Sequence, residues 1–264
     1  MDYELMMNGN IKLGQIAPDF SAKTTYGNIS LEEYKGKWLV FFSHPGDFTP
    51  VCTTEMIAFT KATQYFDELN TKLLALSIDS LHSHLAWMED IYIRTNIKIS
   101  FPIIADRSGE IARKYGMIAS DISKTQTVRN VYIIDDKGIV RTILIYPINV
   151  GRFIPEILRI IEALQMSDET GLMTPANWTP NQKMIRKAPN TYQDIENHRK
   201  NIENNSNNQL NWYLNFREKE INKEPQQQGQ MQIENNIVNK KIEKNQKDIR
   251  NVDNLYAKYY TNKK

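Results

Sequence analysis

The chain of 264 residues contains one cysteine, Cys52. A single thiol excludes an internal disulfide and an intrachain CxxC redox cycle, so packing must hold the fold, and the free thiol suits a reducing compartment. No apolar run approaches the ~18 residues that a membrane-spanning helix requires. The first residues, Met1-Asp2-Tyr3-Glu4-Leu5, are acidic and lack the apolar stretch of a signal peptide, which sets cytoplasmic localisation as the expectation. Charge of one sign is scarce as well: the net +2 divides into −2 over residues 1–199 and +4 over 200–264. That surplus is too dilute for the dense basic stripe of a nucleic-acid binder. There is no glycine-rich phosphate loop and no Gly-x-Ser-x-Gly elbow, and no cofactor is expected. His82-x-His84 lacks a third ligand nearby and reads as a solvated helix face, so no metal is expected either.

What is present divides the chain. Apolar residues alternate with turns as far as about residue 165, whereas 22 of the 65 residues from Lys200 onward are Asn or Gln. Leu39-Val40-Phe41-Phe42 and residues 73–78 read as buried central strands. Between them, residues 53–70 carry Met56, Phe59, Thr63, Phe66 and Leu69 at spacings of three and four, a helix with one apolar face. Strand, helix, strand in this order predicts a right-handed crossover and a parallel pair. Residues 81–93 read as a helix capped by Asp79 or Ser80. Two further strands, 131–134 and 140–146, are joined through Asp135-Asp136-Lys137-Gly138, and a helix over 153–164 follows. The sum is an α/β sandwich with a mixed sheet. The Pro-containing stretch 166–199 reads as an arm running extended over a surface rather than forming a core. Residues 209–216 are apolar enough to bury against a partner subunit, and 221–264 read as a flexible polar tail or a marginal amphipathic helix.

Most lone cysteines are small buried hydrophobes. Cys52 differs in context, lying just after a buried strand and in the first turn of a helix, where free N–H groups and the helix dipole favour a thiolate. A thiol with pKa about 8.5 is already roughly 3% ionised at pH 7, so full ionisation gains only about 30-fold. Ionisation alone therefore does not make a fast catalyst; donors that align the electrophile and stabilise its departing group are needed as well.

Pro45-x-x-x-Thr49-x-x-Cys52, within Ser43-His44-Pro45 and Asp47-Phe48-Thr49-Pro50-Val51-Cys52-Thr53-Thr54-Glu55, resembles the active-site motif of the peroxiredoxin family, specifically its one-cysteine, peroxiredoxin-six class. The resemblance continues through His84-Leu85-Ala86-Trp87, Thr127-Val128-Arg129, Gly151-Arg152 and Thr174-Pro175-Ala176-Asn177-Trp178, over roughly residues 10–200. It implies a thioredoxin-like fold, with a peroxidase domain over 1–165, a C-terminal arm or dimerisation region over 166–220, and the tail beyond. It also implies roles: Cys52 as nucleophile, Thr49 hydrogen-bonding the peroxide, Pro45 shielding the sulfur, Arg129 holding the thiolate and polarising the substrate. Glu55 and Arg152 would support Arg129, and His44 would line the pocket. Glu55 also reads as a residue favoured in a first helical turn, Arg152 as an ordinary surface or helix-start residue, and His44 as a satisfied structural histidine.

The implied activity is reduction of hydrogen peroxide and organic hydroperoxides through a sulfenic acid on Cys52, recycled by an external thiol because no resolving cysteine exists. The implied assembly is a homodimer or a ring of dimers. The rival reading, an oligomeric holdase with a degenerate site, sits poorly with Pro45, Thr49, Cys52 and Arg129 all being intact.

Overall fold

The computed structural model describes residues 11–217 other than 120, 124, 203–208 and 212. The chain divides into the units Met1–Lys219 and Glu220–Lys264, and the expectations for the tail lie outside the described residues. Within the first unit, strands β1 (Ser21–Thr24), β2 (Gly27–Ser30), β3 (Trp38–Ser43), β4 (Thr71–Ser77), β5 (Ile103–Ala105), β6 (Arg129–Ile134) and β7 (Val140–Tyr146) form a seven-stranded sheet in the order β2-β1-β5-β4-β3-β6-β7. β3 runs parallel to β4 and β4 to β5, while β6 pairs antiparallel to β3 and β7 to β6, so the sheet is mixed as expected. The β3–β4 crossover carries helix α1 (Pro50–Glu68). Helices α2 (Leu81–Thr95), α3 (Glu110–Lys114) and α4 (Ile154–Thr170) follow, with α5 (Tyr192–Ile202) beyond them.

Strict alternation along the central strands feeds two cores. Val40, Phe42, Leu73, Ala75, Val131 and Ile133 face one side, against Met56, Phe59 and Phe66 of α1, Trp87 and Ile91 of α2, and Ile157 and Ile161 of α4. Leu39, Phe41, Leu74, Leu76, Tyr132 and Ile134 face the other, against Ile111 and Ala112 of α3 and the N-terminal Ala17 and Phe20. Side chains of period two on a strand covered on both faces require this continuous apolar run. The predicted hairpin is present: Asp135 accepts from the N–H groups of Lys137 and Ile139, and Gly138 supplies the left-handed φ of 80° that closes the turn.

The arm departs from expectation. α4 runs on through Thr170, and Gly171, in a left-handed conformation, ends it with its N–H on the Ser167 carbonyl. Nor is the stretch after it wholly extended or coreless. Trp178 and Met184 are buried with Ala163 in a small third core, because an indole anchored through its N–H to the Gln182 carbonyl provides enough apolar area for one. Short strands β8 (Met184–Ile185), β9 (Gln209–Asn211) and β10 (Leu214–Arg217) form a second sheet in the order β8-β10-β9. No helix among the described residues is long and apolar enough to cross a membrane.

Candidate active site

β3 ends at Ser43, and the chain turns through residues 44–49 before Pro50 opens α1, a position where the missing proline N–H costs nothing. Phe48 takes a positive φ of 54° in this turn. Cys52 falls four residues before Met56 and seven before Phe59, on the stripe of α1 that packs against the sheet. The sulfur is therefore carried inward with the core, and Cys52 is 0% exposed.

What keeps this from being an inert core thiol is charge. Nη1 of Arg129, at the start of β6, lies 3.3 Å from Cys52 Sγ and 2.6 Å from Oε2 of Glu55. Arg129 Nε and Nη2 donate to the Ile148 carbonyl at 2.9 and 2.7 Å, which fixes the plane of the guanidinium. Glu55, one turn along α1 from Cys52, also accepts from the backbone N–H and Nε of Arg152 at 2.8 Å each, and from its Nη2 at 2.6 Å. Arg152 Nη1 reaches the Ser43 and Asn130 carbonyls, and the guanidinium lies 4.9 Å from the Phe42 ring. Burial presses the Arg152 guanidinium down from its ordinary pKa, and the Glu55 carboxylate opposes that. Two buried guanidinium cations against one carboxylate leave one positive charge in excess, which a Cys52 thiolate would neutralise. Glu55 and Arg152 are thus neither a mere first-turn acid nor a surface residue; both are buried and joined to Arg129.

The remaining sequence candidates occupy the turn. The Thr49 hydroxyl donates to the Gly46 carbonyl at 2.8 Å, and its backbone carbonyl accepts from the N–H of Thr53. Pro45 is buried. His44 is 1% exposed, and it belongs to a second network built with Asp47 and His84. Here the solvated-face reading of His82-x-His84 is corrected: His82 is exposed, but His84 is fully buried on the inner face of α2. His44, Asp47 and His84 bring three donor atoms of the kind that bind metals within 4.8 Å of one another. Their N···O separations of 2.8 to 3.0 Å are hydrogen-bond distances, shorter than the about 3.3 Å between two ligands of one tetrahedral zinc ion. The sequence assigns no role to Asp47 or to the Ile148 carbonyl: no spacing rule marks a loop carbonyl, and Asp47 stands within the Cys52 motif without a signal of its own. A surface cleft of about 790 Å3, lined by residues including Trp38, Asp135 and Arg141, opens at the far end of β3, away from Cys52.

A fully buried thiol under a guanidinium suits a small electrophile, and the sheet and its helices are those of the thioredoxin-like enzymes. Together they define a thiol enzyme acting on a small oxidant. Comparison with known proteins makes the class specific. Residues 13–143 match the AhpC/TSA family, and residues 163–201 match the C-terminal domain of 1-Cys peroxiredoxin. A relative named peroxiredoxin 2, from Caldanaerobacter subterraneus subsp. tengcongensis, is 51% identical over 203 residues, covering 77% of this chain and 91% of its own. Among solved structures, yeast mitochondrial 1-Cys peroxiredoxin aligns with a TM-score of 0.68 at 36% identity over 79% of this chain and 100% of that one. A cysteine-to-serine mutant of peroxiredoxin 6 from Arenicola marina aligns with a TM-score of 0.66 at 33% identity, over 71% and 89%. The chain belongs to the peroxiredoxin family. It is a thiol-dependent peroxidase, and its single cysteine fits the one-cysteine mechanism.

Proposed function

We propose that Cys52 is the peroxidatic nucleophile, with Arg129, Thr49 and Pro45 completing its site and Glu55, Arg152 and His44 supporting it. The observation that carries this reading is the Arg129 Nη1 to Cys52 Sγ contact inside a buried cluster with one positive charge in excess. The thiolate attacks one peroxide oxygen; the S–O bond forms as the O–O bond breaks, sulfur loses two electrons, and the leaving oxygen departs as an alcohol or water after taking a proton. Arg129 offers fixed donors to the thiolate and to the entering oxygens, and the Thr49 hydroxyl both donates and accepts as charge moves. Pro45 helps to keep water from the sulfur. The sulfenic acid then condenses with an external thiol, releasing water, and a second thiol splits the mixed disulfide to restore Cys52. Glutathione or a thioredoxin-type protein suits that step, since the thiol resolving mechanism of yeast mitochondrial 1-Cys peroxiredoxin runs via glutathione/thioredoxin systems.

The finer assignments belong to the same reading. The enzyme works in the reducing cytoplasm as a homodimer or ring of dimers, with residues 1–165 as peroxidase domain, 166–220 as dimerisation arm and 221–264 as a separate polar tail. Single-turnover oxidation tests the core of it. The reduced protein should consume one equivalent of hydrogen peroxide and gain one oxygen on Cys52 by mass spectrometry, and Cys52→Ser should do neither. Equal inertness of both proteins, folded and reduced, would remove the reading.

A further inference from the structure

Asp47 and His84 have no role in the scheme above, yet their side chains are 1% and 0% exposed. His44 Nε2 lies 3.0 Å from Asp47 Oδ1, and His84 Nδ1 lies 3.0 and 2.8 Å from Oδ1 and Oδ2. His84 Nε2 stands 3.2 Å from the Ile104 carbonyl oxygen of β5. The Asp47 backbone N–H donates to Asp79 Oδ2, which also accepts from Ser77 Oγ, so the carboxylate is held by its main chain as well. The groups that act electrostatically on His44 are Asp47 beside it, His84 from α2 and Asp79 after β4.

Burial works against ionisation of Asp47, but the hydrogen bonds from His44 and His84 outweigh it and hold the carboxyl well below the ordinary range. Burial lowers the His44 imidazole from its usual value. A neutral ring has one proton, and an ionised carboxylate only accepts, so the proton sits on Nε2 and Nδ1 is a bare acceptor. That Nδ1 is buried and has no hydrogen-bond partner among the described residues. An orphaned buried acceptor is costly, and a donor arriving during the reaction would offset that cost. The ring lies 5.2 Å from the Trp87 ring, whose N–H donates to Thr53 Oγ1, next in the chain to Cys52.

We propose that His84 is a positioning residue for the peroxidase reaction, acting through Asp47 to keep the His44 proton on Nε2 and leave Nδ1 as the acceptor for an O–H group of the reacting species. The inference rests on the reading of His44 as part of the Cys52 pocket. Two species in the cycle carry such a group, the hydroperoxide and the sulfenic acid, and both present an O–H attached to an electronegative atom.

The test follows Cys52 oxidation by hydrogen peroxide in stopped flow across pH, on the full chain, beside nitrogen-15 NMR of the histidine rings. His84→Phe removes the donor to Asp47 while keeping a ring; His84→Asn restores an N–H near the Nδ1 position. In the native protein His44 should show a protonated Nε2 and a bare Nδ1. The Phe variant should slow one step about tenfold, the low end of what outer partners of metal-bound histidines contribute, with a displaced pH profile. The Asn variant should recover most of that rate. Slowing of sulfenic acid formation identifies the hydroperoxide as the donor; a change only in the later reaction of the sulfenic acid with dithiothreitol identifies the sulfenic acid. A native His44 proton on Nδ1, an unchanged Phe variant, or equal slowing in both variants would overturn the proposal. If the Phe variant does not fold, the native ring-nitrogen spectrum still decides. His44→Leu separates the two layers: normal kinetics there would remove the pocket reading itself, whereas slow His44→Leu with normal His84→Phe would remove only the positioning role.

Discussion

At the scale of single residues, the most consequential choice is to bury one carboxylate between two guanidinium groups. Glu55 meets Arg129 at 2.6 Å and Arg152 at 2.6 Å, and all three are nearly inaccessible to water. Removing one partner from such a set leaves charge uncompensated in a poorly solvated place, which costs far more than an exposed pair ever contributes. Glu55→Gln keeps the shape and deletes the charge. It should lower stability by about 3 kcal/mol, read as a lower urea midpoint with an unchanged slope. An unchanged midpoint would mean that solvent compensates the two cations. This trio could be named from the sequence only through family resemblance, since nothing in local spacing links position 55 to 129 or 152. His84 illustrates the opposite case: its neighbour His82 suggests a wet face, and its partners Asp47, 37 residues away, and the Ile104 carbonyl account for its burial.

At the scale of elements, legibility followed periodicity. β3, β4, β6, β7 and the first three large helices were readable because long apolar runs and three-four spacing leave few alternatives. β1, β2 and β5 span three or four residues each, too short for alternation to register, and β1 pairs with β5 through Thr24 opposite Ile104, a contact set by the fold. The last turns of α4 were missed because residues 165–170 are mostly polar, although Gly171 was an available stop signal. The small core after α4 was missed because one tryptophan provides most of it. Trp178→Ala should therefore loosen this region locally. Amide exchange should rise across residues 172–186 and stability should fall by about 3 kcal/mol, while the rate of Cys52 oxidation holds. Loss of protection spread evenly over the central sheet would contradict that separation.

At the scale of the whole molecule, the buried network of His44 and Asp47 ties folding to acidity. Both groups have depressed pKa values in the folded state, from ordinary values of 6.5 and 3.8. The unfolded chain then binds protons first, so each contributes stability that is complete above its ordinary value and drains away as the pH falls below it. Stability should start to decline below about pH 6.5 and steepen below about pH 3.8, by at most ~1.4 kcal/mol per pH unit for each group. Urea midpoints recorded from pH 7.5 to 5 give the first test, and a flat series would show that His44 is protonated without penalty.

The burial of Cys52 at the first turn of α1 also governs the enzyme's working life. A peroxide molecule is small enough to slip in through a closed door, but a reducing thiol, and still more a protein that carries one, is not. Attack by the reductant should require the first turn of α1 to open, whereas further peroxide should need no such opening. With no second cysteine in the chain to trap the oxidised sulfur in the interval, sustained exposure should retire copies of the enzyme one by one. Under sustained peroxide, the share of active enzyme should fall with the dose received, read as further oxygen added to Cys52 by mass spectrometry.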